Sequence, residues 1–211
     1  MYIPKMFHEE DWAEIRKIIV QNSFATIVSC DGDVPVATHA PLRLLERESG
    51  PAILQGHIAR ANPHWKLLES APRALAIFMA AHSYISPRWY DHVNVPTWNY
   101  MAVHVYGKPR LVTDADEVQA LMGNLVEVYE GGNPTGKSYS IESLPADYLA
   151  SQIKGIVCFE ISVDDVQASF KLSQNRNDAS YDSVIHELRQ SNDPAARRVA
   201  EAMRSRRPVK K

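Results

Sequence analysis

In the stretch "GHIARANPHW", Gly56 to Trp65, Arg60 stands just ahead of Asn62 and the helix start that follows it. They are suited to holding an anion. A guanidinium presents paired N–H donors to a phosphate or carboxylate. Asn62 and Pro63 mark a helix start, whose unpaired N–H groups add to the same field. Gly56 permits close backbone approach. The same residues would also serve as a helix cap beside a surface arginine. A second stretch, "SYISPRWYDHVNVPTWNY", combines Tyr84, Trp89, Tyr90, Trp98 and Tyr100 with Ser86, Arg88, Thr97 and Asn99. Aromatic faces stack on flat rings and neighbouring amides read ring edges. The competing reading is a protein interface, where Trp, Tyr and Arg are also enriched. In "ATHAPL", Thr38, His39 and Ala40 close an apolar strand and Pro41 ends its pairing; the plain alternative is a strand-end turn with a satisfied histidine. "KLSQNRND" offers Lys171, Gln174 and Asn175 in a polar loop that could equally be a solvated linker.

Other chemistries are weaker. "GGNPTGKS", Gly131 to Ser138, fits the phosphate-loop pattern G-x-x-x-x-G-K-[ST]. That loop works only between a buried strand and a helix that opens at the Lys. Here a helical pattern precedes it, and "YSIESLPADY" follows, with Pro145 arguing against a helix start. A Gly-rich connector is the expectation. The histidines show no metal-ligand spacing, and neither G-x-S-x-G nor G-x-G-x-x-G occurs.

The elements that would position these groups can be read from periodicity. Glu9 to Gln21 places Trp12, Ile15, Ile18 and Ile19 on one helical face. "SFATIVSC", "DGD" and "VPVATHAPLRLL" predict strand, tight turn and strand. "PAILQGHI", "RALAIFMAAHSYI", "TWNYMAVHVYGKPRLV" and "IKGIVCFEISVDDVQASF" predict further strands, and "NPHWKLLES" a short helix capped by Asn62. Thr113 to Tyr129 predicts a helix capped by Thr113, with Val118, Leu121, Met122, Leu125 and Val128 inward. Two helices, Ser180 to Gln190 and Pro194 to Arg204, end the chain. Without regular strand–helix alternation, a mainly β, antiparallel barrel with peripheral α-helices is the expected class. Such barrels take ligands at their rims or between subunits.

The chain has 211 residues, 45% of them hydrophobic, and a net charge of −2. That charge asks for no nucleic-acid or membrane partner. Cys30 and Cys158 alone suggest a reducing compartment. The apolar runs fall short of the ~20 residues of a membrane helix, and the N-terminus has no apolar leader core. The expectation is a cytoplasmic protein.

Taken together and in this order, "MYIPKMF", "ATHAPL", "GHIARANPHW", "YISPRWY", "VPTWNYMAVHVYGKP" and "KLSQNR" resemble the PaiB-type FMN-binding negative transcriptional regulators. The similarity spans residues 1–178, which would form an FMN-binding split-barrel domain; 179–211 would be a helical, basic appendage. The family is similar in fold to the FMN-binding split barrels, homodimers with FMN between subunits. The resemblance implies that Thr38, His39 and Ala40 border the flavin or its ribityl chain. It places His57, Arg60 and Asn62 near the phosphate. Ser86, Arg88, Trp89 and Tyr90, with Thr97, Trp98 and Asn99, would form a wall contributed across the dimer. Lys171, Gln174 and Asn175 would add an anion or ring-edge contact. The residues alone do not separate FMN from another planar ligand such as haem. The implied role is a regulator. No helix-turn-helix pattern occurs; Arg197, Arg198, Arg204, Arg206, Arg207, Lys210 and Lys211 could supply non-specific phosphate contacts to DNA, and a solvated basic tail is the favoured reading of them. The other readings are a flavin-dependent oxidoreductase of the same fold and a ligand-free dimeric scaffold. No residue marks a substrate and likeness of fold does not settle function, so the reading leans toward binding without turnover and keeps an FMN-dependent oxidoreductase open.

Overall fold

The structure is a computed structural model that describes residues 1–131 and 139–207. Its strands are β1 (His8–Glu9), β2 (Phe24–Asp31), β3 (Val34–Pro41), β4 (Arg43–Leu45), β5 (Ile53–Ala59), β6 (Ala74–Ile85), β7 (Thr97–Val112) and β8 (Ile156–Lys171). They form one sheet in the order β3-β2-β6-β7-β8-β5-β4, with β1 also on β8. β2 is antiparallel to β3 and β6, and β8 to β5 and β1. The helices are α1 (Trp12–Gln21), α2 (His64–Ser70), α3 (Ala115–Glu130), α4 (Ala146–Lys154), α5 (Asp178–Gln190) and α6 (Pro194–Ser205).

The chain divides into two compact units. One comprises Met1–Asn22, Phe78–His104 and Gln167–Lys211; the other comprises Ser23–Ile77 and Val105–Val166. β6, β7 and β8 each contribute residues to both. In the first unit Ile15, Ile18 and Ile19 of α1, Val184 and Leu188 of α5, and Val199 and Met203 of α6 are buried. The two C-terminal helices therefore carry apolar faces into a core, as amphipathic helices must. In the second unit Val112, Val118, Leu121, Leu125 and Cys158 form an apolar cluster, with Met122, Ile153 and Ile156 against it.

Most expected elements are present, and their ends show which local forces decide boundaries. The β2–β3 hairpin turns at Gly32, whose φ of +56° is natural for glycine. The strand expected to run on to Leu45 breaks at Leu42. Pro41 has no N–H for a ladder, and Leu42 N donates to Ser23 O at 2.8 Å instead. Glu9, expected in the first helix, pairs in β1 with Ala168. The Asp11 carboxylate accepts from Ala13 N at 2.8 Å and sets the helix start at Trp12. The cap of α3 is Asp114, which accepts from Asp116 N and Glu117 N, and not Thr113. Val128, expected inward, is exposed in the last turn of α3.

α4 is the main element the sequence pattern misses. It opens directly after Pro145, whose φ of −55° is already helical and whose missing N–H costs nothing at a helix start. The phosphate-loop pattern lies, apart from Gly131, outside the described residues. Its flanks do not: α3 runs to Glu130 before it, and the 3-10 turn Ile141–Ser143 and then α4 follow.

Gly107 of β7 marks the closest backbone approach. A Cβ there would lie 2.2 Å from Ser162 O and 2.8 Å from Ile161 Cγ2. Because main chain is the obstacle, Gly107→Ala is expected to cost about 3 kcal/mol. The check is the urea midpoint, which should fall with an unchanged slope; an unmoved midpoint would show that the strands part freely.

Candidate functional site

The expected ligand-binding residues divide between the two units. Thr38, His39, Ala40, His57, Arg60 and Asn62 belong to the unit that begins at Ser23; the rest belong to the other.

β3 presents Thr38 half-buried, His39 exposed and Ala40 buried. His39 stacks on Phe24 of the paired strand, with ring centroids 6.2 Å apart. Thr38 faces inward to a polar network at the start of α2. His64 is 1% exposed. Its Nδ1 lies 2.8 Å from Thr38 Oγ1, and its Nε2 2.7 Å from Ser29 Oγ. Asn62 Oδ1 accepts from His64 N at 3.0 Å, capping α2 as expected, and its Nδ2 donates to Thr38 Oγ1 at 3.1 Å. Ser29 and His64 were not among the expected site residues. Ser29 had a signal: it occupies the inward position after Ala25 and Ile27 in β2, where an apolar residue belongs.

Arg60 follows β5. Its Nε and Nη2 donate to Lys154 O and Ile156 O, both at 2.8 Å, and Trp65 Nε1 donates to Arg60 O at 3.1 Å. Two donors are thus committed to carbonyls where α4 ends and β8 begins, and Nη1 remains for an anion. His57 Nδ1 is buried with no hydrogen-bond partner. Nearby strands carry a polar row that the expected site did not include. Gln55 Nε2 donates to the buried Glu160 at 2.8 Å, and Arg110 donates to Glu160 and Glu117. The paired partner is what makes a buried carboxylate tolerable. The Cys158 thiol is pushed by burial up to about 11, which makes it a poor nucleophile.

In the other unit, Ser86 Oγ accepts from Arg88 N at 3.3 Å and caps the 3-10 turn Pro87–Trp89. Arg88 is exposed and Trp89 half-buried. Trp98 is 52% exposed, between His82 at 5.8 Å and Tyr84 at 6.2 Å. Tyr90 stacks on His92, carries the Arg176 guanidinium 4.8 Å from its ring, and has a buried hydroxyl with no partner. Thr97 Oγ1 accepts from Lys171 Nζ, whose pKa is lowered by burial and by Arg176. Asn99 is fully buried, its amide exchanging bonds of 2.9 and 3.1 Å with Ser173 Oγ. Ser173 adopts φ +61°, so Asn99 holds a strained loop residue in place. Gln174 accepts from Leu172 N at 2.7 Å and donates to Phe170 O at 2.6 Å, which fixes the same loop; Asn175 is exposed. Asp91 accepts from Ser180 Oγ at 2.6 Å, from His92 and from Asn177, and these bonds hold its carboxyl at about 2.

The donor set suits a phosphorylated flavin. Arg60 retains a free guanidinium edge for a phosphate. The His57 nitrogen in one unit and the Tyr90 hydroxyl in the other are buried polar atoms without partners among the described residues, which proteins seldom leave so. The exposed face of Trp98 is a stacking surface.

Burial lowers the pKa of His57, His64 and His104 below 6.5. The folded state therefore favours neutral imidazoles, and the unfolded chain takes up protons first. The stability this gives is complete above 6.5 and is lost as pH falls through that value toward the folded pKa. The urea midpoint should drop between about pH 7 and about pH 5.5. His64→Gln should shrink the drop; an identical drop would exclude His64 as a contributor.

Residues 1–165 match the family described as "Putative FMN-binding domain". The chain is 40% identical over 203 residues to "Protease synthase and sporulation protein PAI 2" of Bacillus subtilis (strain 168), covering 96% of each. It is 32% identical over 161 residues to "Uncharacterized protein YKL070W" of Saccharomyces cerevisiae, covering 65% of this chain and 95% of that one. Among solved structures it is similar to the flavocytochrome Anf3 of Azotobacter vinelandii, with TM-score 0.60 and 15% identity over 80% of this chain and 72% of that chain. It is also similar to the FAD and haem binding protein of Mycobacterium smegmatis, with TM-score 0.58 and 14% identity over 78% and 73%. The expected class, mainly β and antiparallel with peripheral helices, of the FMN-binding split-barrel type, is borne out. The chain belongs to the FMN-binding domain family typified by PaiB, and its cofactor is FMN.

Proposed function

We propose that this protein is a PaiB-type regulator that holds FMN between two copies of the chain and answers to the state of that flavin. The observation that carries the reading is the 40% identity, end to end, to a protein whose name concerns protease synthesis and sporulation. When bound, FMN supplies one- and two-electron redox chemistry. The chain's own residues hold it. Arg60 Nη1 meets the phosphate and Thr38 and His39 border the polar chain, while Trp98 with Arg88 and Trp89 of the second copy supplies the aromatic and cationic wall. Asn99 and Gln174, whose amides are engaged elsewhere, shape the loop from within. A second copy is supported by large apolar side chains left in solvent: Tyr84 at 46% exposure, Val95 at 68% and Trp98 at 52%.

DNA contact in this reading falls to the outer face of α6. Arg206 pairs with Glu14, and Arg207 with Asp182 and Asp178. Those charges are met by carboxylates of α1 and α5. Arg198 faces solvent, as do Arg197, which gives one donor to Ser191 O, and Arg204, which reaches Glu201 at 3.5 Å on the same helix; these exposed guanidinium groups are the ones placed to neutralise phosphates. Lys210 and Lys211 lie outside the described residues.

Titration of the purified protein with FMN should saturate at one flavin per chain and drive or stabilise a dimer in sedimentation. Arg60→Ala should weaken binding at least about tenfold, the loss of a charge-assisted contact. Absence of saturable binding would remove the flavin reading. Binding to the protein's own upstream DNA, measured against salt, should lose about one unit of slope for each of Arg197, Arg198 and Arg204 changed to Ala. An unchanged slope would move DNA contact off α6, and no binding at physiological salt would remove the regulator reading.

A further inference from the structure

Ser29 and His64 are a buried polar pair for which flavin binding by itself gives no reason. Ser29 is 3% exposed and His64 1%. Among the described residues Ser29 Oγ has one partner, His64 Nε2, at 2.7 Å. A buried hydroxyl must donate somewhere. Ser29 therefore gives its proton to Nε2, which must be the bare nitrogen. The imidazole proton is then on Nδ1, and Nδ1 donates to Thr38 Oγ1 at 2.8 Å.

The second donor to Thr38 is fixed by a separate bond. Asn62 Oδ1 accepts from His64 N, so the amide cannot turn over, and its Nδ2 points to Thr38 Oγ1 at 3.1 Å. The threonine oxygen has two lone pairs, and both are now occupied. Its own O–H cannot point back along either bond. It finds no acceptor among the described residues, and Thr38 is half-buried rather than enclosed.

We infer that the Ser29–His64 pair is a positioning relay that turns the Thr38 hydroxyl outward as an obligate hydrogen-bond donor to an acceptor atom of the bound ligand. The inference rests on the flavin reading of this surface and deepens it. The acceptor is a carbonyl, a ring nitrogen or a hydroxyl of the ribityl chain, and a group that can only donate is discriminated against at this position. Burial lowers the pKa of His64 and keeps the relay neutral. A protonated His64 would need Ser29 as an acceptor and would leave the serine proton stranded.

Long-range proton–nitrogen correlation spectra of the flavin-free protein read the His64 tautomer directly. The expected state has Nδ1 protonated and Nε2 bare. In parallel, FMN titrations compare Thr38→Val, Thr38→Ser and Ser29→Ala with the wild type. Thr38→Val should weaken binding about fivefold, the loss of one neutral hydrogen bond, and shift the visible band of the bound flavin. Thr38→Ser should restore both. Ser29→Ala frees the tautomer and should weaken binding about twofold, but should add nothing on top of Thr38→Val. A proton on Nε2 in the wild type overturns the relay. So does unchanged FMN affinity in Thr38→Val. A wild type that binds no FMN overturns this inference together with the flavin reading, whereas wild-type binding with an insensitive Thr38 overturns this inference alone.

Discussion

A fully buried imidazole carries one donor and one acceptor, and both must find partners inside the protein. His64 meets that condition with Ser29 on one side and Thr38 on the other. Three segments are tied by it: β2 through Ser29, β3 through Thr38, and the start of α2 through His64 and Asn62. A one-residue slip of β3 against β2 would turn Thr38 to the other face and leave the imidazole Nδ1 unpaired. The cost of a stranded polar group, of order 1–3 kcal/mol, is large beside the few kcal/mol of net stability a domain has. The register of the hairpin, the entry angle of α2 and the position of Arg60 all depend on it.

Arginine is used here in two ways, and composition does not distinguish them. Arg206 sits over the Phe170 ring at 5.1 Å and pairs with Glu14, and Arg207 sits over Tyr181 at 5.5 Å and pairs with Asp182. Together they fasten α6 to α1, α5 and β8. Arg60 fastens the end of α4 with two of its donors and keeps the third nitrogen outward. A guanidinium can do both because its donors are fixed in a planar fork. Lysine, with one nitrogen, would lose either the fastening or the free edge.

The aromatic stretch is held from behind by polar groups. Asp91 ties it to the first turn of α5 through Ser180 and Asn177, and Asn99 ties it to Ser173 and, at 3.5 Å, to Met203 Sδ. Those bonds tie the segment between β6 and β7 to α5, and the start of β7 to α6. The C-terminal helices thereby belong to the structural support of the wall.

Alternation and helical spacing in the sequence were enough to give the long strands, five of the six α-helices of the described residues and the mainly antiparallel class, because each rests on a periodicity of a single segment. The motif set was enough to point to FMN. α4 was hidden because Pro145 was weighed as a breaker, whereas just ahead of a first turn the same ring is an asset. The β3–β4 break was hidden because it depends on Ser23 O waiting for Leu42 N. Asn99, Gln174 and Arg60 read as ligand contacts from their type alone, and only their partners show how much of each is already engaged. His64 and Ser29 lie thirty-five positions apart, and no local pattern could join them. Hydrogen-bond satisfaction is a property of the folded neighbourhood; the sequence determined which donors and acceptors exist, and the tertiary structure decided which of them remain free for a ligand.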